Sequence, residues 1–106
     1  MSIQFLFNYK GDHIATFTNG QLYSVLGKNI GHYIESSSIF VDMLGDYLGQ
    51  IPFANRLLQS DIYKYEGVNY GVYGDYGDIG YLGNIGDGGE IDDVEGFSDI
   101  PLERLE

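Results

Sequence analysis

The chain is 106 residues long, 43% hydrophobic, and carries a formal charge of −11 with no cysteine. That length makes one domain with a real apolar core, and the missing thiols exclude disulfides, thiolate zinc sites and thiol chemistry. Residues 61–106 hold twelve of the sixteen acids but only two of the five bases, which argues against direct nucleic-acid binding, since a phosphate backbone needs clustered Lys and Arg.

The first residues, Met-Ser-Ile-Gln-Phe, do not set a basic region before a long apolar run, so neither a signal peptide nor a membrane span is expected and the default location is cytoplasmic. From residue 3 the chain alternates. Ile3, Phe5, Phe7 and Tyr9 fall on one face, Gln4, Leu6 and Asn8 on the other, which is the period of a strand. Gly11 marks a turn, and the run from Ile14 to Phe17 reads as the returning strand. Asn19-Gly20 is a strong hairpin signal. The same unit then recurs as Tyr23, Gly27, Ile30, Gly31 and Tyr33; as Phe40, Gly45, Leu48, Gly49 and Ile51; and as Tyr63, Gly67, Tyr70, Gly71 and Tyr73. Internal repetition of this kind predicts one supersecondary unit used four times. The third copy carries one extra residue before its glycine. The third connection, Pro52 to Ser60, is long enough for a helical turn at Arg56-Leu57-Leu58. The small residues Ala15, Gly31, Gly49 and Gly71 predict close backbone approach in the second strand of each copy.

These units resemble those of the 4-fold beta flower proteins, small bacterial and phage-associated domains. The resemblance covers about residues 3–73. It implies a shallow pseudo-fourfold antiparallel barrel with an apolar centre, and it implies no reaction.

Beyond it, Gly71, Gly74, Gly77, Gly80, Gly83, Gly86 and Gly89 recur every third residue. A threefold period belongs to a polyproline-II-like or polyglycine-II-like helix. One edge of that helix would be bare glycine, and one would be an apolar stripe of Tyr73, Tyr76, Ile79, Leu82 and Ile85. The expectation is therefore an all-β chain in three parts: a four-repeat domain over residues 1–73, a glycine-triplet segment over 74–89 packed on or in the barrel, and an acidic tail over 90–106.

No nucleophile elbow, Walker loop, zincin helix or dinucleotide fingerprint appears in its required context, so neither an enzyme nor a cofactor is expected. His13 and His32 occupy different repeat positions and read as surface histidines. The acids from Asp87 to Glu95 do not follow the order of a calcium loop, so no metal is expected. The favoured function is a non-catalytic binding or interaction module with a protein partner or a small apolar ligand. Its candidate contacts are the barrel tyrosines Tyr23, Tyr33, Tyr63 and Tyr73, and the carboxylates Asp75, Asp78, Asp92 and Asp93. The alternatives are an acidic inhibitor of a basic partner, of the phage anti-defence or immunity type, and a homo-oligomeric structural protein.

Overall fold

Asn8, Ser24 and Asp42 each stand three residues before a turn glycine, and each caps its turn in the same way. The Asn8 Oδ1 accepts from the amides of Lys10 and Asp12, the Ser24 Oγ from Leu26 and Lys28, and the Asp42 Oδ1 from Leu44 and Asp46. The glycine amide returns to the carbonyl of the capping residue in all three turns. Short polar side chains that satisfy the next backbone amides favour turns over longer elements, and the glycine that follows takes positive φ, as at Gly27 (+86°).

The computed structural model, which describes residues 2–61 and 67–106, places these turns between strands β1 (Gln4–Phe7) and β2 (His13–Thr18), β3 (Gln21–Tyr23) and β4 (Asn29–Ile34), and β5 (Ile39–Asp42) and β6 (Tyr47–Phe53). Strand β7 (Arg56–Ser60) follows the Ala54-Asn55 turn, and β8 (Phe97–Asp99) pairs with β7 near the chain's end. Neighbours in sequence are neighbours in the sheet. The first seven strands close into a barrel where Phe7 meets Arg56 in parallel.

Every one of these three hairpins carries the same bulge. Leu6 faces Ala15 while Phe7 faces His13; Leu22 faces Gly31 while Tyr23 faces Asn29; Phe40 faces Gly49 while Val41 faces Tyr47. The skipped residue, Ile14, Ile30 or Leu48, is left out of the ladder and joins Leu6, Leu22 and Phe40 in the core. The fourth such pair is Leu57 with Ile100. In three hairpins the paired core residues are eight positions apart, and in the fourth they are 43 apart. The fourth hairpin therefore carries an insertion of 35 residues where its siblings have a tight turn. A 3₁₀ turn, Leu102–Leu105, follows Pro101 and drops Leu105 into the core at 4% exposure.

The all-β barrel is as expected; its details correct three expectations. The described part of the Tyr63 copy does not build the fourth hairpin. Tyr63 lies outside the described residues, and Gly67 to Tyr73 contain no strand, only an isolated bridge from Asn69 to Asp46. The edge that this copy would have extended is occupied by β8, with Leu58 opposite Asp99. Arg56-Leu57-Leu58 is strand, not helix, because all three side chains are buried and the edge of β6 is there to be paired. The third copy has no extra residue. Val41, four before Gly45, corresponds to Phe7 and Tyr23, and Phe40 corresponds to the core residues Leu6 and Leu22. Close approach at the small residues holds at Gly31 and Gly49. A Cβ on Gly49 would lie 2.7 Å from the Leu58 carbonyl oxygen and 2.6 Å from the Ile100 Cδ1, whereas Gly71 has open space there.

Candidate functional site

The glycine-triplet segment forms a belt along the rim of hairpin tips, and its true period is nine. The amide of Tyr70 donates to the Gly45 carbonyl at 2.9 Å, that of Ile79 to Gly27 at 2.8 Å, and that of Gly88 to Gly11 at 2.8 Å. The next belt residue, Gly71, Gly80 or Gly89, lies backbone to backbone against the same turn glycine, where a Cβ on the turn residue would strike it. The preceding residue is Asn69, Asp78 or Asp87. Asn69 and Asp87 each accept the amide two residues on, and Asp78 accepts the Asn29 amide of the barrel. Three triplets thus serve one hairpin, and the belt visits hairpins three, two and one in that order.

A uniform threefold helix does not form. Gly77, Gly80, Gly83, Gly86 and Gly89 have φ between +77° and +92°, whereas the belt's other residue types have none positive. A polyproline-II helix repeats one negative φ throughout; here the glycine of every triplet except Gly74 reverses the sign. The apolar stripe is broken accordingly. Tyr73, Ile79 and Ile85 are half-buried, and Tyr76 and Leu82 are exposed.

The belt's end is fastened by side chains. Buried Arg56 donates through Nη1 to the carbonyls of Asn8 (2.9 Å) and Gly89 (2.6 Å), and through Nη2 to Gly88 (2.6 Å), with its guanidinium 5.8 Å from the Phe7 ring centre. The Tyr9 hydroxyl accepts the Val94 amide and donates to the Phe97 carbonyl, and the Asp61 amide donates to the Gly96 carbonyl. Neutral carbonyls hold this guanidinium, and its Nε has no partner among the described residues.

Four of the expected contact residues gather at the second hairpin. Tyr23 is 5% exposed. Burial first, then the nearby carboxylates of Asp75 and Asp78, push its phenol above the ordinary tyrosine value. Asp75 caps the Gly77 amide. Asn29 joins the group by accepting the Tyr76 amide and donating to Gln21. Tyr73 covers His32 edge-on. His32 is not a surface histidine. It is 4% exposed, its Nδ1 pairs with Gln21, its Nε2 has no partner among the described residues, and burial holds it below the ordinary histidine value. His13 is half-buried between the Phe5 and Phe7 rings and the Thr16 hydroxyl, and burial lowers it too, against a raising hydrogen bond from Ala15. Tyr33 is a wall of the core, packed with Phe17 and Phe40. Asp92 and Asp93 lie apart, exposed beside a groove with Phe53, Ile91 and Val94.

Among the described residues, Leu6, Leu22, Phe40, Leu48 and Leu57 fill the barrel centre at 0% exposure. Open space lies outside. A groove of about 630 Å³ runs between the first two hairpin tips and the belt. Among the described residues, no group of three His, Cys, Asp or Glu is placed to hold a metal ion, and no helix is long and apolar enough to cross a membrane. Sequence reasoning missed Arg56, Asn29 and Gln21. The nine-residue spacing of Asn69, Asp78 and Asp87 was the available signal, hidden by the stronger threefold recurrence of glycine. No protein-family model, curated protein or solved structure matches the chain.

Proposed function

We propose that the chain is a non-catalytic interaction module of the 4-fold beta flower type, whose contact surface is the belt and not the barrel interior. One observation carries this reading. The belt is pinned to three turn glycines, yet it turns Val72, Tyr76 and Tyr81 to solvent at 77%, 66% and 63% exposure. Large apolar side chains held outward on a fixed scaffold are what a protein partner can bury with little backbone-ordering cost. The filled core supports a protein partner over a small apolar ligand. A cytoplasmic place in a bacterial or phage-infected cell belongs to the same proposal and rests on the resemblance.

The test is site-specific photo-crosslinking in cells, with the reactive side chain at position 76 or 81 and, as a control, at exposed Ser36 in a connection between hairpins. Discrete protein adducts from the belt positions alone are expected. Adducts from Ser36 alone, or a small molecule retained in the native mass spectrum and lost on denaturation, would overturn the reading.

The inhibitor reading is favoured by one further feature. Residues 67–103 contain nine acids and no Lys or Arg, so the belt and the C-terminal segment together could occupy a basic groove. Its mark would be crosslinking yield that falls steeply with salt.

A further inference from the structure

The groove between the first two hairpin tips has a composition that selects its occupant. Its walls include Val25 and Leu26 from the second turn and Tyr81 and Ile85 from the belt, with Asp12 and Asp87 among its lining residues. Leu26 is 68% exposed and Tyr81 63%. The arrangement is not an accident of one turn. Leu26 and Leu44 hold the same position before Gly27 and Gly45, and Tyr81 and Val72 hold the same position after Gly80 and Gly71. All four are exposed. At the first hairpin the corresponding two residues are Lys10 and Glu90. The two positions change together, from apolar with apolar to cation with anion, so tip and belt form a single face.

Charge decides what this face takes. Anionic lipid and nucleic acid are repelled by a belt without bases, and a second copy brings the same −11. From the apolar walls and the two carboxylates we infer that this groove is a docking site for a basic, apolar-flanked peptide segment of a partner protein. The apolar side chain seats on Leu26 and Tyr81, and the Lys or Arg beside it faces Asp12 and Asp87. This deepens the interaction-module reading and rests on it.

The probe is a synthetic peptide of alternating leucine and lysine, compared with its leucine–glutamate counterpart, followed by amide chemical shifts of the full chain near physiological salt. Saturable shifts confined to residues 11–13, 25–28 and 81–87, with the lysine peptide alone, are expected. Leu26→Ser with Tyr81→Ser should weaken that binding about tenfold or more, the worth of one buried apolar side chain, while Phe53→Ser in the separate groove leaves it unchanged. Both altered positions are solvent-facing, and unchanged dispersion of the remaining amides checks the fold. Shifts spread over every acidic segment and insensitive to the double substitution would mean unspecific attraction and overturn the site. Shifts centred on Phe53 and Ile91 would overturn it too, while leaving the belt as the interaction surface. Absence of binding overturns the docking site, whereas the module reading stands or falls on the belt crosslinks.

Discussion

The barrel and the belt are two ways of ordering one chain. In the barrel, strands satisfy their backbone in ladders and bury Leu, Ile and Phe in a common core. The belt has neither ladder nor core. Its backbone is ordered by carbonyls of the hairpin tips, by Asx-type caps, and by an arginine that grips two of its carbonyls. The difference shows that close approach can replace burial. Where two glycines meet, backbone dipoles come near enough to bond, and no side chain needs to be hidden.

The comparison is broken most severely at a glycine that serves both regions. Gly27→Ala should cost about 3 kcal/mol in urea unfolding, because it combines the positive-φ penalty with a methyl driven into the Gly80 backbone. Gly20→Ala, at φ +76° with open space around it, should cost about 1 kcal/mol. Equal costs would mean that the belt does not press on the tips.

Next in size is Arg56→Met. It removes three charge-assisted bonds to carbonyls, and we expect a loss of about 2 kcal/mol. Faster hydrogen exchange should accompany it at the Gly88 and Ile91 amides while the β3–β4 ladder stays protected. Uniform exchange throughout would show that belt and barrel open as one unit.

Tyr9→Phe is milder, about 1 kcal/mol, through loss of the hydroxyl bonds to Val94 and Phe97. Its thermal midpoint should fall, with far-ultraviolet circular dichroism unchanged.

The smallest effect is on pH. His32 is buried neutral, so its folded value lies below the unfolded one and the unfolded chain binds the proton more readily. Its contribution to stability is present above the ordinary histidine value and is lost as pH falls below it toward the lowered folded value. Tyr73, Tyr76 and Gln21 face the ring, and none is a cation or an acid able to stabilise the proton. His32→Asn should flatten that part of the stability curve; a slope unchanged by the substitution would assign it elsewhere.

Much of the barrel was legible in the chain. Alternation around Phe5 and Phe7, Asn19-Gly20, and the recurring glycines marked three hairpins, because turns and strands obey local rules. Arg56 to Ser60 could not be read as strand from its own residues, since its conformation depends on the edge of β6 waiting to be paired. The grouping of side chains at the candidate site was half legible. The belt's glycines announced tight packing, and Tyr23, Tyr73, Asp75 and Asp78 do come together at the second hairpin. Asp92 and Asp93 do not join them, and His32 went unrecognised because nothing local says that a belt 41 residues later will cover it with Tyr73.

The amino-acid sequence by itself determined the turns, the β periodicity, the acidic half and the absence of thiol chemistry, because each depends on residue type and near neighbours. Only the tertiary structure decided which strand completes the fourth hairpin, that a 35-residue insertion opens there, and that three glycine triplets answer to one hairpin tip. Those facts concern distances between segments far apart in the chain. They are set by how the barrel closes, with β7 meeting β1 and leaving β8 to return from the rim.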